Sequence, residues 1–89
     1  MTATVGIREV SNLVSGIYPN PASDHLFIRS NEPISGVEVL DLSGKILLQQ
    51  RPEDAVDLMK LDLSSFESGM YMLRVYGKDK FQSEKFLVH

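Results

Sequence analysis

Two histidines, twelve acidic side chains and no cysteine are what this sequence offers to chemistry. A catalytic centre needs a nucleophile, an acid or base, or a metal, held together in a concave site. His25 stands beside a strand start and His89 is the last residue, and neither has a partner at metal-ligand spacing, so both read as solvated imidazoles. Asp24, Asp41, Asp54, Asp57 and Asp62 are scattered, and none lies in a D-x-D-x-D-G loop that would wrap calcium. Aspartate beside a turn bonds its neighbouring backbone, which is the reading for Asp24 and Asp41. A calcium site assembled from distant loops stays an open alternative. Ser43, Ser64 and Ser65 stand in turn or cap contexts with no G-x-S-x-G around them, so no hydrolytic triad is visible. The chain reads as a non-enzyme with no cofactor and no metal site. Most aromatic residues fall at alternating positions and read as core or edge packing. Phe27, Tyr76 and Phe81 face away from the predicted core and are the only basis for a ligand platform, such as one for a glycan.

Composition narrows the classes further. At 89 residues the chain is one domain, and a domain of this size buries only about 60–70% of the surface its unfolded chain exposes. With 43% hydrophobic and 24% charged residues it is globular rather than disordered. A net charge of −3 without a long basic run argues against nucleic acid as a partner, because phosphate neutralisation dominates that affinity. The absence of cysteine removes a disulfide framework and a zinc ribbon and leaves the compartment open. No apolar run approaches the roughly 18 residues of a membrane span, and Met1 to Ser15 lacks the pattern of a secretory signal. That opening segment reads as a start placed before an excised piece. Residues 1–15 are accordingly assigned to a linker and a first short strand region, and residues 16–89 to the domain proper.

The elements that must position these residues are strands. Alternation and short apolar runs recur at spacings of roughly 8 to 12 residues with no helix of useful length, which predicts an Ig-like antiparallel β-sandwich of about seven strands. "ISGVEVLDLSGKILLQQ" reads as strand, tight turn and strand, with Ser43-Gly44 in the turn. In "DLMKLDLSSFESGMYMLRVYG" two strands flank a single helical turn, with Ser64 and Glu67 at capping-box spacing and Gly69 as its stop. The last strand runs through "FQSEKFLVH". The predicted core is Leu26, Ile28, Val37, Val39, Leu47, Leu61, Leu63, Phe66, Tyr71, Leu73, Val75 and Phe86, with Met59 on the same face as Leu61.

One segment breaks the alternation. In Tyr18-Pro19-Asn20-Pro21 the prolines cannot donate to a ladder, and each restricts the residue before it. Such a segment belongs at a sheet edge, a strand start or a corner between sheets.

Four stretches, "IYPNPASDHLFI", "VEVLDLSGKIL", "LDLSSFESGMYMLRV" and "SEKFLVH", together resemble in order and spacing the type A C-terminal sorting domain of proteins exported by the type IX secretion system of Bacteroidetes-type bacteria. The resemblance covers Gly16 to Val88. The family's motif positions fall on Pro19, Asn20 and Pro21, on Asp41, Gly44 and Lys45, on Gly69 and Tyr71, and on Lys85, Phe86, Leu87 and Val88. Val5 to Ile7 is similar to the family's lead-in. His89 departs from it, since many members carry Lys or Arg close to the end. The resemblance implies an address rather than an activity. It implies a cargo N-terminal to the domain, recognition by the outer-membrane translocon and shuttle proteins, and passage through the periplasm to the cell surface. A sortase-like peptidase there would remove the domain, with transfer of the cargo to an anionic lipopolysaccharide as a companion step. The terminal segment Glu84 to His89 is expected to present a free strand edge to a partner. The alternatives are an Ig-like accessory module binding glycan or calcium and a structural spacer.

Overall fold

Side chains alternate across a strand, so a segment with apolar residues at every second position buries one face and wets the other. In the computed structural model, which describes residues 7–89, that rule generates eight strands and, among the described residues, no helix. They are β1 (Arg8–Glu9), β2 (Val14–Tyr18), β3 (His25–Ile34), β4 (Gly36–Leu40), β5 (Ile46–Gln50), β6 (Val56–Asp62), β7 (Gly69–Tyr76) and β8 (Lys80–Val88). They form a five-stranded sheet of order β1-β8-β7-β4-β5 and a three-stranded sheet of order β2-β3-β6. The predicted all-β sandwich is present, and the strand beyond the predicted seven is the two-residue β1. Pairing is antiparallel except for β1 on β8 and an isolated parallel bridge between Ala22 and Val88. Within the opening segment, β1 and the core residue Leu13 pack onto the sandwich, while Val5 and Gly6 of the lead-in lie outside the described residues.

The core is where the alternating faces meet. Leu26, Ile28, Met59 and Leu61 of the smaller sheet oppose Val37, Val39, Leu73, Val75 and Phe86 of the larger. Each such side chain contributes about 1.5–3 kcal/mol when fully buried. Leu13, Ala22, Ile34, Leu63 and Val88 complete the cluster.

Two predicted features are corrected. Leu47 is 41% exposed rather than core, because the pairing slips by one residue between Val39 and Leu40. Leu48 lies opposite Val39 and packs on the core in its place, as expected at a bulge, where an extra residue is left unpaired. The helical turn after β6 is instead a β-turn closed by Phe66 N–H donating to the Leu63 carbonyl at 2.9 Å. Asp62 Oδ1 accepts from the Ser64 N–H at 2.9 Å, so the aspartate before the turn, not Ser64, organises it. Phe66 and Tyr71 are partly buried at the core's margin, with ring centroids 5.3 Å apart.

Candidate recognition site

The motif residues gather at one end of the larger sheet. The register places Gly69 beside Val88, Met70 beside Leu87 and Tyr71 beside Phe86, while Leu40, the last residue of β4, lies beside Met72. The Asp41–Lys45 hairpin loop therefore projects from the end where β7 begins and β8 finishes.

Asp41 builds that loop. Its Oδ1 accepts from Ser43 N–H at 2.9 Å, Ser43 Oγ at 2.6 Å and Lys45 N–H at 2.9 Å. These bonds, led by the Ser43 hydroxyl and the Lys45 amide, hold the carboxyl below the ordinary aspartate range. Gly44 N–H closes on the Asp41 carbonyl at 3.0 Å and Asp41 N–H on the Lys45 carbonyl at 2.9 Å. Gly44 then takes φ +94°, the left-handed step that a three-residue hairpin of this pattern places on glycine. The D-x-x-G-K spacing is thus the spacing of a turn, and it leaves Lys45 exposed. Gly69 opens β7 with φ +153°, and the Tyr71 hydroxyl donates to the Glu67 carbonyl at 2.6 Å.

Alternation divides the end of β8 by role. Phe86 and Val88 are 1% and 3% exposed and belong to the core, whereas Lys85 and Leu87 stand on the outer face in solvent. Only the second pair is presented to solvent.

The Pro-Asn-Pro segment forms a corner, and this corrects the expectation of a free edge on the last strand. Leaving β2, the chain passes through two cis bonds, Tyr18-Pro19 and Asn20-Pro21, and arrives beside β8. Asn20 Oδ1 accepts from Leu87 N–H at 3.2 Å. Ala22 N–H donates to the Leu87 carbonyl at 2.7 Å, and His89 N–H donates to the Ala22 carbonyl at 2.7 Å. Further back, Val10 N–H donates to the Phe81 carbonyl at 2.8 Å. Between these contacts Gln82, 5% exposed, turns its side-chain oxygen to the N–H groups of Leu13 and Val14, both at 2.8 Å. The edge of β8 is covered because the motif's asparagine and the residues around it occupy it. Gln82 was not among the predicted residues. Its only signal was a glutamine at an inward position, four residues before Phe86 and beside the equally inward Glu84.

The other candidates disperse. Asp24 bonds the ring of His25 at 2.7 Å, and that bond, ahead of one from local backbone, lowers its pKa. Phe27 stacks on Tyr18 at 5.5 Å on the smaller sheet, while Tyr76 and Phe81 meet at 5.8 Å on the larger, so no single aromatic platform joins all three. Among the described residues no three His, Cys, Asp or Glu side chains converge as a metal site.

With this geometry in hand, comparison gives the class and then the family. The profile described as "Secretion system C-terminal sorting domain" matches residues 10–89. The chain belongs to that family, whose members are C-terminal sorting signals for type IX secretion. Such a domain works with the secretion machinery on behalf of an N-terminal cargo and directs export to the cell surface, and the family is not an enzymatic one. Among solved structures, one of PorZ, described as an essential surface component of the type IX system of Porphyromonas gingivalis, superposes with TM-score 0.67 at 24% identity. The match covers 85% of this chain and 11% of PorZ. CopC from Methylosinus trichosporium matches at TM-score 0.54 and 15% identity over 88% of this chain and 91% of its own. An endoglucanase from Alicyclobacillus acidocaldarius matches at TM-score 0.56 and 15% identity over 89% of this chain and 15% of the enzyme. These likenesses establish the sandwich alone. No curated relative matches the chain.

Proposed function

We propose that the type IX outer-membrane translocon and its shuttle proteins read this domain as a folded object, after its cargo has reached the periplasm. In this reading residues 16–89 are the sorting domain, and residues 1–15, whose β1 and Leu13 pack onto the sandwich, lead to the cargo. A cell-surface sortase-like peptidase then removes the domain, and the chemistry of cleavage and transfer belongs to that peptidase. The observation that carries the reading is the convergence of the exposed motif residues Asn20, Lys45, Lys85 and Leu87 at one end of a rigid sheet, while Phe86, Val88, Asp41 and Gly44 hold that end in shape. Rigid elements position a recognition surface better than loops do.

The test is a periplasm-targeted reporter fused ahead of the domain, with separate tags on the reporter and on the domain, in a host that has the type IX machinery. The reporter is expected at the surface without the domain's tag. A folded fusion that stays in the periplasm would remove the export reading. One that reaches the surface with both tags intact would remove the peptidase from it.

A further inference from the structure

On the outer face of the five-stranded sheet, side chains line up in rows across the strands. Ile46 of β5 is next to Leu40 of β4, Leu40 to Met72 of β7, and Met72 to Lys85 of β8. The adjoining row pairs Met70 with Leu87, and Leu42 stands in the hairpin loop at the same end. Leu42, Ile46, Met70 and Leu87 are 63%, 46%, 44% and 37% exposed. They are four of the eight large apolar side chains exposed among the described residues, so half of that surface is collected at one end of one face. Leu40, in the middle of its row, is only 4% exposed because its apolar neighbours cover it.

Two lysines rim this patch, and Asp41 in the hairpin loop is a carboxylate beside them. Lys45 and Lys85 are exposed and, among the described residues, form no ion pair. Asp41 has Oδ1 committed to three bonds inside its own loop. Within β4, β5, β7 and β8 the only carboxylate on this face is Glu38, which is held by Tyr76 Oη and Gln49 Nε2, both at 2.8 Å, with Arg74 at 3.7 Å. A chain of net charge −3 thus places two lysines that form no ion pair among the described residues beside four exposed apolar side chains.

We propose that this patch is a docking surface for a protein whose own contact region is apolar at its centre and carries carboxylates at its rim. The proposal rests on the export reading and names the partner's chemistry at that site. Contiguous exposed apolar surface rimmed by polar groups is how protein contacts are built. Opposite charge at the rim sets orientation and speeds encounter. An anionic lipid surface is a poorer fit, because such recognition uses clusters of about four to eight Lys or Arg. A second copy is also a poorer fit, because a two-fold contact through this patch would bring like charges together.

The test uses the reporter fused ahead of the full 89-residue chain in a host with the type IX machinery. The double variant Ile46→Glu with Met70→Glu is expected to lower surface reporter by at least about tenfold, the loss that follows from removing one or two contact anchors. Lys85→Glu is expected to lower it by about threefold, while Lys85→Arg preserves it. Leu58→Glu, at a residue 39% exposed on the smaller sheet, is the control and should export like the parent. Unchanged protease resistance shows that each variant folds. If the glutamates unfold the domain, Ile46→Gln with Met70→Gln is read in the same way. A parent fusion that is not exported would defeat the export reading itself. An exported parent with equally exported folded patch variants, or a Leu58→Glu fusion that fails as badly, would defeat the docking surface alone. With the purified chain, absence of co-sedimentation with phosphatidylcholine–phosphatidylglycerol vesicles and a monomer in sedimentation equilibrium support a protein partner. Vesicle binding or dimerisation that the double variant abolishes would overturn that choice.

Discussion

The two lateral edges of the five-stranded sheet are treated differently. At one, β8 is covered at its start by β1 and at its finish by Asn20 and Ala22, and the Gln82 side chain ties down Leu13 and Val14. At the other, β5 ends the sheet with the sequence ILLQQ, uncharged, and among the described residues nothing pairs with its outer side. A bare apolar edge invites pairing with other chains, and proteins usually blunt one with charge, proline or a bulge. Here β5 carries only the bulge at Leu47. The difference separates two jobs that the motif sequence runs together. The residues around β8 fix the shape of the domain, and the proposed docking surface lies across the face toward β5.

Substitutions can break or sharpen that contrast. The largest effect is expected from Phe86→Ala, which empties the core beneath β8 and should cost about 3–5 kcal/mol. Denaturant midpoints measure it, and a change below about 1 kcal/mol would mean β8 is not anchored as described. Next, Gln82→Leu leaves the N–H groups of Leu13 and Val14 without their acceptor, at a cost of about 1–3 kcal/mol. Asn20→Ala removes one bond at the exposed end of the cover and should cost about 0.5–1.5 kcal/mol. Its signature is faster hydrogen exchange at Leu87 with little change at Leu73.

Asp41 tests the hairpin through pH. Its pKa is lowered from the ordinary 3.8 in the folded state, so its contribution is present above 3.8 and disappears as pH falls through the lower folded value. Parent and Asp41→Ala should therefore differ in thermal midpoint at neutral pH and converge in strong acid. A gap that persists at low pH would show that the loop does not depend on the ionised carboxylate. The smallest effect is expected from Gln49→Lys on β5, within about 0.5 kcal/mol of the parent in stability. Its use lies elsewhere: light scattering at high concentration should show less association, as a charged edge discourages strand pairing.

What the sequence made legible follows from the range of the interactions concerned. Leu26, Ile28, Leu61, Leu73 and Val75 were readable because alternation is local and the core needs only one face of each strand. Leu47 was misread because a bulge changes which residue of a run faces inward, and the bulge depends on the pairing partner. Leu13 and Ala22 were missed because neither lies in an alternating run, and both are buried by β8, whose residues come more than sixty positions later. The motif positions Asn20, Lys85 and Leu87 could be found by resemblance, but the contact between Asn20 and Leu87 could not. Nothing in either segment signals the other. The turn at Ser64 was misassigned because aspartate and serine compete for the same cap, and Asp62, the last residue of its strand, stands two positions before Ser64.

The cover over β8 also gives the domain a sense of completeness. Leu13 gains its amide's acceptor from Gln82, and Ala22 has its bridge only once Val88 is in place. A chain broken between Gln50 and Phe86 lacks the complete strand that seats both of these early segments and the ring that fills the core between the sheets. Such a product keeps the prolines, the hairpin and Lys45, yet has no stable end of the sheet on which to display them. A receptor that bound only the folded domain would therefore also require that synthesis had run through β8, and a chain cut short of it would be refused without any separate inspection.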